Sequence, residues 1–150
     1  MKHTLAIIAF LLLSVGSFAQ TATKHLNLSN GLAIEGYDPV SYFHGGPQKG
    51  SATLTVVQNG VTYRFANAAN MNAFKQNPAM YMPMYGGWCA YAMGAKGEKV
   101  EVDPETYKIL GGHLYLFYNK YFNNTLKSWN KDEASLKNKA DANWQKITKQ

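Results

Sequence analysis

The sequence predicts a mixed α+β domain: a small antiparallel sheet of two hairpins, a short central helix, and two C-terminal amphipathic helices packed on the sheet. Three observations lead there. β-rich runs at 53–57 and 61–65 flank Asn59-Gly60, the dipeptide that best tolerates a tight hairpin turn. A second pair of runs, 107–110 and 113–118, flanks Gly111-Gly112, which accepts the positive φ angles of such a turn. Beyond residue 118 the apolar period lengthens to that of a helix, with Phe122, Leu126 and Trp129 in one run and Leu136, Ala140, Trp144 and Ile147 in the next, behind the cap candidate Asp132.

Taken in chain order, residues 1–19 read as a secretory signal peptide. Lys2 gives a positive start, 5–13 an apolar run too short for a comfortable span, and Ser17-Phe18-Ala19 a small-x-small cleavage site. No Cys lies near that site, so the exported chain is expected to be soluble and free of an N-terminal lipid. A polar leader, 20–31, precedes a single domain over 32–150. Short apolar runs at 32–34 and 40–43 are expected as strands around Gly36-Tyr37-Asp38-Pro39, where Asp-Pro favours a turn. After the first hairpin, Asn67 caps a helix that carries Met71 and Phe74 on one face and stops before Pro78.

Composition bounds the function. With 46% hydrophobic and 16% charged residues in 150, the chain can bury one core. Its single Cys excludes an internal disulfide and every paired-cysteine zinc or haem pattern. The formal charge of +6 is concentrated at the C-terminal end, where residues 118–150 carry seven Lys against Asp132, Glu133 and Asp141. A basic helical face of this kind is a solvated surface or a weak contact for anionic surfaces, and nucleic acid is not expected of an exported protein. Trp129 and Trp144 are expected to pin the two C-terminal helices onto the sheet, since burying a Trp contributes about 2 to 3 kcal/mol.

Several strings then become recognisable: Gly36-Tyr37-Asp38-Pro39-Val40 with Tyr42-Phe43, Gly60-Val61 and Tyr63-x-Phe65, Asn77-Pro78, and Tyr81-x-Pro83-x-Tyr85-Gly86-Gly87-x-Cys89-Ala90, followed by Asp103-Pro104 and Leu114-Tyr115-Leu116. In this order and spacing the chain resembles the exported YHS-domain-containing proteins from about residue 32 to 147. The resemblance implies a small α+β domain related to the YHS and TRASH-like modules found beside heavy-metal transport and sensing proteins, for which metal binding is the usual suggestion. The paired cysteines of the metal-associated relatives are missing here, so metal ligation carries over to Cys89 alone.

The residues themselves leave three readings of Cys89 open: a buried small hydrophobe, a metal ligand, or a reactive thiol just past a glycine turn and near a helix start. Met80, Met82 and Met84 would share one face if extended, and with Met93 they surround the cysteine in sequence with thioethers suited to Cu(I); gap-filling hydrophobes are the competing reading. His44 or His113 could add a nitrogen. Tyr37, Asp38, Tyr85, Gly86, Gly87 and Trp88 complete the ligand-side candidates, although Asp38 before a proline serves a turn as readily as chemistry. An enzyme would have to assemble Cys89, a histidine and Asp38. The acidic stretch Glu98, Glu101, Asp103 and Glu105 lacks calcium-loop spacing and reads as a solvated loop. The leading expectation is a non-enzymatic exported domain that binds copper, zinc or a small molecule around Cys89. A thiol-dependent enzyme and a surface-interaction module are the alternatives.

Overall fold

In a computed structural model that describes residues 23–150, the chain is a mixed α+β fold built on small sheets and five helices. The signal-peptide reading of 1–19 lies outside the described residues. Strands β1 (Leu28–Ser29), β2 (Leu32–Ala33), β3 (Ser51–Gln58) and β4 (Val61–Phe65) form one sheet in the order β1-β2-β4-β3, with β2 parallel to β4 and the other pairs antiparallel. Strand β1 draws the expected leader into this sheet. Helices α1 (Ala68–Gln76), α2 (Pro78–Tyr81) and α3 (Ala90–Lys96) follow, then the hairpin β5 (Asp103–Leu110) and β6 (His113–Phe117). A third small hairpin, β7 (Asn119–Lys120) with β8 (Asn123–Asn124), precedes helices α4 (Thr125–Trp129) and α5 (Glu133–Thr148).

Both expected hairpins form with the expected turns, Gln58 pairing Val61 and Leu110 pairing His113. They do not share a sheet. The reason lies in β6, which is buried on both faces: Leu114 and Leu116 enter one core with Val40, Val61, Phe65 and Phe74, whereas Tyr115 and Phe117 enter a second with Met93, Trp129, Leu136 and Ala140. A strand buried on both faces must lie between two layers, so β5–β6 stands between the four-stranded sheet and the C-terminal helices. Trp129, fully buried against Tyr115 and Phe117, seals the second core, and its indole N–H donates to Glu133 at 2.9 Å.

Local signals held in the first helix and failed at three other places. Asn67 accepts from the Asn70 N–H at 2.8 Å, and α1 stops before Pro78, which opens α2. Residues 41–43 form a single 3-10 turn, not a strand. Phe122 lies outside any helix and is wholly exposed, so α4 begins only at Thr125. Asp103 and Glu105 belong to β5, where the Asp103 carboxylate accepts from the Glu105 N–H and the Thr106 hydroxyl beside a bulge.

Asp38 organises the first half of the fold. It is fully buried, and its Oδ1 accepts from the Val40 and Ser41 N–H groups at 2.8 and 3.3 Å. Its Oδ2 accepts from the Ala66 N–H at 2.8 Å and the Asn70 side-chain amide at 2.7 Å. One carboxylate thereby ties the 38–41 turn to the end of β4 and the start of α1. On the opposite side, α3 crosses α5 where Gly94 meets the Leu136 carbonyl; a Cβ at Gly94 would sit 2.5 Å from that oxygen.

Asp38→Asn keeps the shape but turns an amide N–H₂ toward backbone donors, and should cost about 1 to 3 kcal/mol in a urea melt. Gly94→Ala gains about 1 kcal/mol of helix propensity and forces the α3–α5 crossing apart, which costs about 1 to 3 kcal/mol. The net change is expected to be a lowered denaturation midpoint; an unchanged or raised midpoint would show that the crossing has slack.

Candidate functional site

Two turns of unusual handedness frame the site. Ile34, Glu35 and Gly36 have φ of 51°, 50° and 85°, and Tyr85, Gly86 and Gly87 have φ of 54°, 62° and 85°. Each left-handed run is closed by the same hydrogen bond, from the Tyr37 N–H to the Ile34 carbonyl at 2.9 Å and from the Trp88 N–H to the Tyr85 carbonyl at 3.1 Å. Left-handed backbone costs an L-residue roughly 1 to 2 kcal/mol, and a β-branched residue such as Ile34 is seldom found there. Such strain persists only where the surroundings impose it. At the second turn the N-terminal segment imposes it: the Asn27 N–H donates to the Gly86 carbonyl at 2.8 Å, its side-chain amide to the Gly87 carbonyl at 3.1 Å, and the Trp88 indole to the His25 carbonyl at 2.7 Å; at the first, the Gly50 N–H donates to the Gly36 carbonyl at 2.8 Å.

A groove of about 350 Å³ runs along this junction, with Ile34 on one side and Tyr85, Gly86 and Gly87 on the other. Its walls are largely apolar: Leu26, Leu28, Tyr63, Met82, Met84 and Trp144. Gln58, Asn59 and Asn27 supply polar groups around it. Gly86 is required here, since a Cβ would lie 2.8 Å from the Trp144 ring and 3.0 Å from Leu26. The Tyr85 hydroxyl donates to Asp141 at 2.8 Å, and Asp141 also accepts from Lys137, so the turn is anchored to α5 as well. Burial and the Asp141 hydrogen bond hold the Tyr85 phenol protonated well above its ordinary range. Burial alone pushes the Tyr63 phenol up to about 12.

The expected sulfur set is not assembled. Pro78 starts a helical turn through Tyr81, so Met80 lies on α2, exposed, and the alternation that would align three thioethers is broken. Met82 and Met84 do meet, as two walls of the groove, while Met93 is fully buried in the second core. Cys89, at the N-cap of α3, is fully buried on the far side of its turn. Its sulfur accepts from the Tyr118 N–H and lies 3.4 Å from the Thr125 hydroxyl, and it lines a separate cleft of about 360 Å³ with Tyr91, Glu98 and Asn123. Among the described residues, no group of three or more His, Cys, Asp and Glu is placed to hold a metal ion.

The proposed catalytic partners are likewise apart. His44 and His113 are exposed, the first after the 41–43 turn and the second at the start of β6. No imidazole hydrogen-bonds the Cys89 thiol among the described residues, and Asp38 is committed to its four donors. Tyr37 donates to Glu105 at 3.1 Å beneath Lys49, and Trp88 packs under the leader, so neither lines the groove. Sequence reading missed Tyr63, Trp144 and Ile34 as groove residues. Val61, Tyr63 and Phe65 alternate into the interior along β4, and nothing in that alternation tells a pocket wall from a core.

Because burial opposes the Tyr63 phenolate, this residue contributes stability that is complete below pH 10 and is lost as pH rises toward 12. Denaturant melts across that range should show a shallower loss in Tyr63→Phe than in the wild type; parallel curves would mean that the phenol is free to ionise in the folded protein.

Compared with known proteins, the chain matches no family model, no curated protein and no solved structure.

Proposed function

We propose that this is an exported, non-enzymatic YHS-type domain that binds a small, largely apolar molecule with one polar end in the groove beside the Tyr85-Gly86-Gly87 turn. The observation that carries the reading is the groove itself: apolar walls of Tyr63, Met82, Met84 and Trp144, a few polar groups, and a strained turn held in place on two sides. Its volume falls at the lower end of the range for small-ligand sites, and convergence of a few polar groups on an apolar cleft is the usual form of such sites. The signal-peptide-like start and the resemblance in the 36–43 and 81–90 strings support export and the YHS assignment. Full burial of Cys89, with Tyr118 and Thr125 rather than a histidine as its hydrogen-bond partners, favours binding over thiol catalysis.

A soft-metal reading is favoured by one observation, that Met82 and Met84 line the same groove. Two thioethers suit Cu(I), a soft ion, better than zinc. In that reading Cys89 has no part as a ligand, and it serves the fold.

The test uses decanoate and indole as probes, titrated into the protein with the heat of binding as readout, and Cu(I) in a parallel competition with a chelator. Ala79→Trp fills the groove from an exposed position on α2 and should weaken probe binding about tenfold or more. Cys89→Ser should leave it unchanged. Cu(I) retention lost in a Met82→Leu/Met84→Leu variant would favour the metal reading instead, and saturable binding of neither probe nor metal would remove the groove as a site.

A further inference from the structure

Among the described residues, four tight turns place two successive residues at positive φ between paired strand ends: Asn30-Gly31, Asn59-Gly60, Gly111-Gly112 and Tyr121-Phe122. The first three use the residues such turns favour, because Asn and Gly adopt left-handed backbone at little cost. The fourth, joining β7 to β8, puts two aromatic residues there at φ of 52° and 62°. Among the described residues, no side-chain hydrogen bond or ring contact repays that strain. Tyr121 is 88% exposed and Phe122 as exposed as in an extended chain, and neither ring contacts another ring.

We propose that the Tyr121-Phe122 tip inserts into the interface of an anionic phospholipid bilayer and anchors the protein there peripherally. A two-residue tip cannot supply the roughly 800 Å² per partner that a stable protein interface buries, whereas a penetrable medium accepts a convex aromatic point. Tyrosine also favours the headgroup boundary, where its ring is apolar and its hydroxyl stays wet. The lysines next to the tip in sequence fit an anionic surface: exposed Lys120 precedes it, and exposed Lys127 and Lys131 follow it. Three carboxylates beside the hairpin offset part of this locally: Glu101, 3.8 Å from Lys120, Asp103, which accepts from the Asn119 amide, and Glu98, which shares a cleft with Asn123. Weak apolar insertion combined with neighbouring lysines is the two-signal arrangement that stable peripheral anchoring requires. No described helix is long and apolar enough to cross a membrane.

The experiment is co-sedimentation of the protein with phosphatidylcholine vesicles, with and without phosphatidylglycerol, at low and high salt. The companion variant is Tyr121→Asn/Phe122→Gly, which restores the favoured turn and should fold at least as stably, as a thermal melt will check. The wild type is expected to bind the anionic vesicles, less at high salt, and the variant to lose about tenfold or more in partitioning. The variant shares the wild type's N-terminus, so binding that persists in it belongs elsewhere and overturns the proposal. So would equal binding to neutral vesicles, no binding by the wild type, or a tip-dependent dimer in size-exclusion chromatography without vesicle binding.

Discussion

The Asp38 carboxylate is held in a fully buried site by four donors from three stretches of chain, with no ion-pair partner among the described residues. A buried charge of this kind is tolerable only when hydrogen bonds replace its hydration, and each donor it recruits is thereby fixed in position. The 38–41 turn, the end of β4 and the first turn of α1 are consequently locked to one another. Ser41 extends the lock: its hydroxyl donates to the Asp38 carbonyl and accepts from the Gln48 N–H. The left-handed run at Ile34 immediately precedes this assembly in the chain, and the Gly50 N–H holds its last carbonyl, that of Gly36.

The groove depends on a second set of constraints, supplied by the N-terminal segment. Asn27 bonds two carbonyls of the Tyr85 turn while β1 pairs with β2, so a stretch that looks like a polar tether becomes the strap between two strained turns. Tyr85 is fastened from the other side by Asp141 on α5. A pocket assembled by a strap, a sheet edge and a terminal helix is pre-formed, which lowers the ordering cost of binding. Cys89 sits outside it, in a cleft whose wall includes Asn123 of β8, and its burial among hydrogen-bond partners accounts for a lone thiol in terms of packing and polar satisfaction.

Much of the fold was legible where local chemistry and tertiary context agree. Asn59-Gly60 and Gly111-Gly112 make their turns, Asn67 caps its helix, and Pro78 divides α1 from α2 because the residue before a proline avoids helical backbone. The candidate site was legible only in part. Tyr85, Gly86, Gly87, Met82 and Met84 line the groove, but Met80, His44, Tyr37 and Trp88 do not, since alternation and motif membership say nothing about which face an irregular segment presents. Phe122 misled for a related reason: its spacing from Leu126 fits a helix, and the hairpin turn that holds it has no sequence signal when built from Tyr and Phe.

Sequence alone determined the α+β class, the two hairpins and their turns, the central helix and its cap, and the absence of a disulfide, because each rests on short-range sterics, hydrogen bonding or a count of cysteines. Tertiary structure decided the rest. Only packing on both faces of β6 separates the hairpins into different layers, only contacts from distant chain force Ile34 and Tyr85 into left-handed backbone, and only the turn of α2 takes Met80 away from Met82 and Met84. These outcomes depend on partners many residues away, whose combined energies outweigh the local preference of any single residue.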